Sequence, residues 1–366
     1  MRIAAYRSTG LSLQSLPATR VPGPEPAALR IAALAVADPA ETLSQEDVLR
    51  RLGLADDEFA RGIFERCGVE HRHLRLDEDF LSRPIQGRAT EIEQQLLDRS
   101  VVANDALPMD LAAVRVVISA SLYTMGCPPL ANRLVEHFGL PPDADKYHLS
   151  GVGCASAVPL VRLAGQTLHD HPGGHALVVA ADSLSGILMQ ADPDDPKAKI
   201  VGSAIFGDGC AAALVSNDPG CDGPAILASR VHQIGDTLGA VSLELGSQDS
   251  YLHLARELPD LASAGLGELV DEFLRERRLV RADIDHWIVH PGGRRIIESA
   301  QDALGLAHED VATSWEALAD HGNVGTPSIF YVLKEEIERS EPAPGEHALM
   351  VTIGPGVTVG LMLLGW

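Results

Sequence analysis

Residues 150–157 read Ser-Gly-Val-Gly-Cys-Ala-Ser-Ala, a glycine-rich turn that leads through Cys154 into a run with helical spacing. Apolar residues recur at that spacing from Cys154 to His169, and Pro172-Gly-Gly ends the predicted helix. Cys154 is therefore predicted at a helix N-terminus, where free N–H groups and the helix dipole lower the pKa of a thiol. The glycines would let another molecule approach this thiol closely. The alternative is a small buried thiol, the usual environment of a free cysteine.

Strands and helices alternate on both sides of this turn. The predicted strands are the end of Asp110–Ser121, then Ala176–Ala181, Ala211–Ser216, His286–His290, Ala348–Ile353 and Val357–Leu364. The predicted helices are the pattern in Ser44–Cys67, Cys154–His169, Leu266–Arg277, a helix from Pro291-Gly-Gly to about Leu304, and Ser328–Glu338. This alternation is typical of an α/β protein, and its recurrence predicts two related halves, residues 1–185 and 186–366.

Charge, cysteine content and hydropathy exclude several classes of function. The 366 residues carry a formal net charge of −22, which disfavours binding to nucleic acid, anionic membranes or an acidic carrier protein. The five cysteines are widely spaced without a Cys-x-x-Cys pair, so neither a disulfide framework nor a structural zinc site is expected. The longest apolar runs are too short to cross a bilayer and the N-terminus lacks a signal-peptide pattern, so we expect a soluble, cytoplasmic protein.

Two further positions could carry chemistry. His290 ends the strand Trp287-Ile-Val-His before Pro-Gly-Gly, where a side chain opens into the cleft at the edge of an α/β sheet. It is either a base or a structural histidine. Asn323 lies in Asp-His-Gly-Asn-Val-Gly-Thr-Pro before a helix, and is either a helix cap or a donor to a carbonyl or enolate oxygen. With Cys154, they supply the nucleophile, base and oxyanion donor of covalent catalysis.

Five motifs in order resemble the chalcone synthase-like (type III) polyketide synthases, over most of the chain from about Ala32 to Trp366. They are Gly-Val-Gly-Cys-Ala at Cys154, Ile205-Phe-Gly-Asp-Gly-Cys, Val289-His-Pro-Gly-Gly-Arg-Arg, His321-Gly-Asn-Val-Gly and Ile353-Gly-Pro-Gly-Val. The His-Pro-Gly-Gly form distinguishes them from ketoacyl synthase III. The C-terminal third also resembles the bacterial dihydroxyphenylacetyl-CoA synthases of this family.

The resemblance implies a thiolase fold, with five layers αβαβα made of two related halves, and a homodimer. It implies that Cys154 takes the acyl group of a starter acyl-CoA, and that His290 and Asn323 promote decarboxylation of malonyl-CoA. The resulting enolate would then attack the acyl group on Cys154, followed by cyclisation or release. No cofactor or metal is implied beyond the coenzyme A thioesters that serve as substrates.

An acidic chain needs a local basic patch to bind coenzyme A. The candidates are Arg66, Arg72, Arg75, Lys197, Lys199, Arg294 and Arg295. Each is otherwise a solvated surface charge. Among them, we predict that Arg66, Arg72 and Arg294 contact the coenzyme A phosphates.

The resemblance also predicts which residues line the acyl-binding cavity. They are Phe206, Ile187, Leu252, Gly325, Cys127, Gly354, Pro355 and Gly356. Phe206 occupies the place of a gatekeeping phenylalanine that favours decarboxylation by excluding water. Leu252 replaces a second phenylalanine and Gly325 a serine, changes that would enlarge the cavity, whereas Ile187 would narrow it. Cys127 stands where plant enzymes carry a methionine that reaches into the partner subunit.

Three alternatives remain open. A cysteine hydrolase also uses Cys, His and Asn in this order, but it leaves the other motifs unexplained and would not decarboxylate malonyl-CoA. A ketoacyl synthase III-like acyltransferase or single-condensation synthase would join two acyl thioesters, including carrier-bound ones. A non-catalytic protein of the same fold is disfavoured because Cys154, His290 and Asn323 are all retained. Starter, number of extensions and ring type do not follow from the sequence.

Overall fold

The computed structural model describes residues 28–124, 126–188, 197–245 and 250–366, and the side chains of 187–188, 197–199, 244–245 and 250–252 lie outside the description. Its strands are β1 Arg30–Ala37, β2 Thr42–Ser44, β3 His71–His73, β4 Val114–Ser121, β5 Asp145–Ser150, β6 His175–Asp182, β7 Gly209–Ser216, β8 Ala225–Gln233, β9 Val241–Leu245, β10 Ser250–Leu254, β11 His286–Val289, β12 His347–Gly354 and β13 Thr358–Gly365.

The α-helices alternate with these strands. They are α1 Gln45–Arg51, α2 Glu58–Phe64, α3 Glu78–Ser82, α4 Ile85–Asp105, α5 Leu130–Phe138, α6 Ala157–Leu168, α7 Ser185–Leu188, α8 Lys197–Ile205, α9 Leu258–Ser263, α10 Leu266–Arg275, α11 Arg294–Leu304, α12 Ala312–His321 and α13 Ser328–Ser340. Within the described ranges, none of these helices combines the length and the apolar character that a membrane span requires.

Nine of the described strands form one mixed sheet in the order β11-β12-β13-β8-β1-β7-β6-β4-β5. The strands β4, β5 and β6 run parallel, as do β11 and β12. The two halves of this sheet meet where β1 pairs with β8, at Arg30 and Ala225. Each half thus contains parallel strands whose carboxyl ends can present side chains to a common cleft.

The sheet halves and helices stack in five layers. The central layer is α6 and α13, whose apolar residues pack against β4, β6 and β7 on one side and β11, β12 and β13 on the other. The outer layers are α4 and α5 over the first half and α10 and α11 over the second. Successive side chains of β12 point to opposite faces of the sheet, so Met350 packs against the central helices and Leu349 against the outer ones. The predicted αβαβα arrangement is present.

The predicted elements differ from the structure mainly at their ends. The Ser44–Cys67 pattern is two helices, α1 and α2, each with a side-chain N-cap, Ser44 and Asp57. Strand β7, which was assigned to the second half, lies between β1 and β6. The sheet therefore changes from one half to the other only after Ser216. The division of the chain into domains at residue 185 stays a prediction.

Candidate active site

Cys154 lies on a 3₁₀ turn, Gly153–Ala155, between β5 and α6. Gly153 has φ +59°, and a Cβ on it would lie 3.1 Å from Cδ of Pro355. A Cβ on Gly354 would lie 2.5 Å from the backbone nitrogen of Ala155. The loop between β12 and β13 can therefore press against the cysteine turn only because both positions are glycine.

The surroundings of Cys154 disfavour the thiolate. Burial, reinforced by the charge of Asp182, raises the pKa of Cys154 to about 12. The prediction of a lowered pKa is wrong because desolvation of the thiolate outweighs the field of the adjoining helix start. The sulfur lies 3.7 Å from Oδ1 of Asn323. A protonated thiol in this setting must lose its proton in the step in which it attacks.

His290 follows β11 and is held by its backbone, whose N–H donates to the carbonyl of Val351 at 2.9 Å. Its side chain is 2% exposed, and burial lowers the pKa of His290 to about 3. Its Nδ1 has no hydrogen-bond partner within the described residues. A Cβ on Gly292 would lie 3.0 Å from Nε2, so the tight turn after the strand leaves room for the ring. The imidazole is thus neutral, the form that can accept a proton from a thiol.

Asn323 is fixed in orientation by donors on one side of its amide. Its Oδ1 accepts from the Gly325 N–H at 2.9 Å and from the Ser328 hydroxyl at 3.0 Å. Its backbone N–H donates to the carbonyl of Ile205 at 2.7 Å. Because Oδ1 is occupied by donors, Nδ2 must point the other way, toward the Gly292 carbonyl at 3.4 Å. The arrangement leaves an amide N–H beside the His290 turn.

Asp182, at the end of β6, accepts hydrogen bonds from two backbone segments beside the site. Its Oδ1 accepts from the Leu122 N–H at 2.6 Å and its Oδ2 from the Thr326 N–H at 2.7 Å. Burial raises the pKa of Asp182 to about 6. A Cβ on Gly325, at φ +76°, would lie 2.4 Å from Oδ2, so the missing side chain makes room for this carboxylate. Asp182 is a site residue outside the sequence-based prediction, and its signal in the sequence is a carboxylate directly after a buried run, at the carboxyl end of a strand.

One cavity brings the three candidate residues together. It encloses about 610 Å³ of empty space, including the part open to solvent. Its lining comprises Leu122, Gly153, Cys154, Ile205, Phe206, Val241, Leu254, Leu258, His290, Gly292, Ile296, Asn323, Gly325, Ile353, Gly354 and Pro355. An ordered nucleophile, a neutral base and an amide donor in one mostly apolar cavity can support acyl transfer through a covalent intermediate.

The predicted cavity residues divide into three groups. Four of them line the cavity: Phe206, Gly325, Gly354 and Pro355. Gly356 and Cys127 do not belong to the described lining. The Gly356 carbonyl accepts a hydrogen bond from the Thr237 hydroxyl at 2.8 Å, and Cys127 is exposed. The side chains of Ile187 and Leu252 lie outside the described residues.

Of the three arginines predicted to contact phosphate, one is buried and two are exposed. Arg72 is fully buried, and its guanidinium donates to the carbonyls of Ser203 and Phe206 at 2.6 and 2.9 Å. The prediction that Arg72 binds a phosphate is therefore wrong, because a buried cation tied to backbone carbonyls cannot reach a ligand in solvent. Its role is to hold the end of α8 and Phe206, which directly follows it.

Two basic residues remain available near the cavity. Arg66 and Arg294 are both exposed. A Cβ on Gly68 would lie 3.4 Å from Cβ of Arg294, so the segment after Arg66 adjoins the start of α11. Arg294 stands two residues before Ile296, which lines the cavity. Arg75 instead forms ion pairs with Asp77 and Glu91, and the side chains of Lys197 and Lys199 lie outside the described residues.

A charged cluster anchors the segment that carries Asn323. His321 ends α12, and its Nδ1 lies 3.2 Å from Oδ2 of Asp38 and its Nε2 3.6 Å from Oε1 of Glu335. The Tyr331 hydroxyl donates to the other oxygen of Asp38 at 2.8 Å. Burial alone would lower the pKa of His321, but the two carboxylates outweigh it and raise the pKa to about 9. His321 is thus a cation two residues before Asn323.

This cluster predicts a pH-dependent stability. The folded pKa of His321 is raised from 6.5 to about 9, so its contribution is fully present below pH 6.5 and is lost as pH rises through 9. The difference corresponds to at most about 3 kcal/mol in the free energy of unfolding. Urea unfolding at pH 6 and pH 9.5 should show that His321→Gln loses most of its penalty at the higher pH. A penalty for His321→Gln equal at both pH values, or matched by the exposed His137→Gln control, would contradict the assignment.

Comparisons with known proteins agree with this geometry. Residues 52–230 match the family described as FAE1/Type III polyketide synthase-like protein, and residues 226–365 match the chalcone and stilbene synthases, C-terminal domain. The 3,5-dihydroxyphenylacetyl-CoA synthase of Amycolatopsis balhimycina is 27% identical over 355 residues, 92% of this chain and 93% of that protein. The alpha-pyrone synthesis polyketide synthase-like Pks18 of Mycobacterium tuberculosis is 30% identical over 273 residues, 73% of this chain and 69% of that protein.

A solved structure shares the whole architecture. PKS-I from the brown alga Ectocarpus siliculosus matches with a TM-score of 0.85 and 25% identity, over 93% of this chain and 99% of that chain. The likeness confirms the predicted thiolase fold, and the sequence matches confirm the family resemblance inferred from the five motifs. The chain therefore belongs to the type III polyketide synthases.

Proposed function

We propose that the protein extends a starter acyl-CoA by decarboxylative Claisen condensation with malonyl-CoA, and then cyclises or releases the product. The observation that carries this proposal is the convergence of Cys154, His290 and Asn323 in one cavity. The family's activity supports the reaction class, and the geometry supports the roles of the residues.

Acylation begins with the neutral pair of Cys154 and His290. The thiol attacks the thioester carbonyl of the starter while the imidazole takes its proton, since burial disfavours a thiolate and an imidazolium formed in advance. The carbon–sulfur bond to coenzyme A then breaks and coenzyme A leaves as a thiolate, while the proton from Cys154 stays on His290. The starter is left as a thioester on Cys154, and His290 holds the proton with which it acts as a donor in the next step.

Extension uses the same donors on a second substrate. Malonyl-CoA enters with its thioester carbonyl facing the imidazole N–H of His290 and the Nδ2 of Asn323. Loss of carbon dioxide leaves an enolate whose oxygen these donors stabilise. The enolate carbon attacks the acyl carbonyl on Cys154, and the cysteine sulfur leaves and takes the proton back from His290, so that the thiol can take up the extended chain. Phe206, 4% exposed on the cavity wall, excludes water from the enolate.

Carbon dioxide release tests this proposal. The pure protein is incubated with carboxyl-labelled malonyl-CoA and a panel of short, long and aromatic starter CoA esters. We expect starter-dependent release of label together with extended products. Absence of label release with every starter would overturn the proposal, and carrier-bound acyl chains would then be the substrates to test.

Arg294 is expected to contribute to coenzyme A binding at the cavity mouth. Its side chain is 53% exposed and pairs with Glu298 of the same helix. Arg294→Gln should raise KM for the CoA substrates roughly five- to tenfold while kcat changes less than about twofold, because a phosphate contact far from the thioester binds ground and transition states alike. The effect should shrink at high salt. Equal KM values for Arg294→Gln and the exposed control Arg275→Gln would contradict the assignment.

The homodimer and the cytoplasmic location expected from the sequence remain part of this proposal. Substrates bound to an acidic carrier protein are disfavoured by the net charge of −22.

A further inference from the structure

The acyl-binding cavity is apolar beyond its catalytic end. Among the described residues that line it, Cys154, His290 and Asn323 are the ones with polar side chains. The rest are aliphatic residues, glycines, Phe206 and Pro355. A ligand that extends past the thioester would therefore meet hydrocarbon and few hydrogen-bonding groups.

One wall of this cavity is incompletely covered. Val241 on β9, Leu254 at the end of β10 and Leu258 at the start of α9 line the cavity, and each is only partly buried. Leu258 packs against the cluster that contains the buried Ile296 and Ile353, which are 8% and 5% exposed and line the same cavity. Aliphatic surface that faces both a cavity and water gains free energy when an apolar ligand covers it.

From this lining we infer that the starter is an unsubstituted aliphatic acyl-CoA, whose hydrocarbon chain lies against the Val241–Leu254–Leu258 wall and the adjoining Ile296 and Ile353. The inference rests on the proposed function, because the chain must be linked to Cys154 to occupy this cavity. It assigns a substrate class to a site whose chemistry the family already defines.

Two other starter classes fit the described lining poorly. A hydroxylated aromatic starter would bury a phenol without a side-chain partner, and a buried unpaired hydroxyl lowers binding by roughly tenfold or more. A malonyl starter would bring a carboxylate into the same apolar space, at a still larger cost. An aliphatic chain carries no group that needs a partner.

The wall also predicts how activity depends on chain length. Each methylene that leaves water for an apolar surface increases binding by up to about fourfold. The ratio kcat/KM for starters should therefore rise from butanoyl-CoA through hexanoyl-CoA to octanoyl-CoA, by about two- to fourfold per methylene, until the chain fills the cavity. A terminal hydroxyl should cancel much of this gain.

The experiment measures kcat/KM for butanoyl-, hexanoyl-, octanoyl-, 8-hydroxyoctanoyl-, 4-hydroxycinnamoyl- and malonyl-CoA as starters with the full chain. We expect octanoyl-CoA to exceed 8-hydroxyoctanoyl-CoA and 4-hydroxycinnamoyl-CoA by about tenfold or more. The inference is overturned if either hydroxylated starter or malonyl-CoA alone is used as well as octanoyl-CoA. Extension of some starter without an aliphatic preference would leave the proposed function standing, whereas extension of none would overturn both.

Leu258→Asn tests the wall directly, since it exchanges an apolar side chain for a polar one of similar size. We expect it to lower kcat/KM for octanoyl-CoA by about tenfold and for butanoyl-CoA by less than threefold. Leu111→Asn, at a partly exposed leucine outside the cavity lining, is the matched control. Equal losses for the two chain lengths in Leu258→Asn, or the same pattern in the control, would overturn the assignment of this wall.

Discussion

Cys154→Ala is expected to lower chain extension by roughly a thousandfold or more, because Cys154 is the one residue of the described cavity lining that can hold the acyl chain as a thioester. Without that covalent intermediate, the enolate formed from malonyl-CoA has no electrophile and takes up a proton instead. Some release of carbon dioxide should therefore persist, since His290 and Asn323 remain in place. Product and carbon dioxide are measured in parallel from labelled malonyl-CoA and a starter that wild type accepts.

The matched control for this change is Cys221→Ala. Cys221 is also a free, partly buried cysteine, and it does not belong to the described cavity lining. We expect the control to keep wild-type activity within about twofold. Extension by Cys154→Ala at more than a few per cent of the wild-type rate would contradict the covalent mechanism.

Asn323→Asp is expected to separate the two half-reactions. An aspartate keeps the oxygen that accepts from Gly325 and Ser328, but it loses the Nδ2 donor. Removing one donor to an oxyanion typically costs a factor of about 10²–10³ in rate, so decarboxylation and extension should fall by that amount. Acylation of Cys154 by the starter should continue, because it depends on His290 as the base.

Asn217→Asp is the control for this substitution. Asn217 makes comparable contacts to the backbone, from Nδ2 to the Leu168 carbonyl and from the Gly174 N–H to Oδ1, but it does not line the active-site cavity. A structural effect of the amide-to-acid change would appear in both variants. Parallel loss of acylation and decarboxylation in Asn323→Asp would refute the separate role of the amide donor.

The sequence predicted the three candidate residues because each occupies the end of an element. Cys154 follows a strand and opens a helix, His290 ends a strand, and Asn323 lies between two helices. In alternating α/β folds such ends meet at one edge of the sheet, so positions far apart in the chain converge. The layers were predictable for the same reason, from apolar runs whose period distinguishes strands from helices.

Burial was the quantity that the sequence could not supply. Arg72 has the charge that a phosphate ligand requires, yet its buried guanidinium donates to backbone carbonyls of a segment more than a hundred residues away. The pKa of Cys154 rises because the cavity excludes water, an effect that neither the glycines nor the helix start encode locally. The support from Asp182 and the close approach of Gly354 to the cysteine turn likewise depend on contacts between distant segments.

The most direct measurement is the mass of the intact protein after brief exposure to octanoyl-CoA without malonyl-CoA, followed by mapping of the modified peptide. We predict a mass increase of one octanoyl group per chain, located on the peptide that contains Cys154 and absent from Cys154→Ala. Addition of malonyl-CoA should discharge or lengthen this adduct. A starter that is extended by the protein without ever appearing on Cys154 would contradict the mechanism.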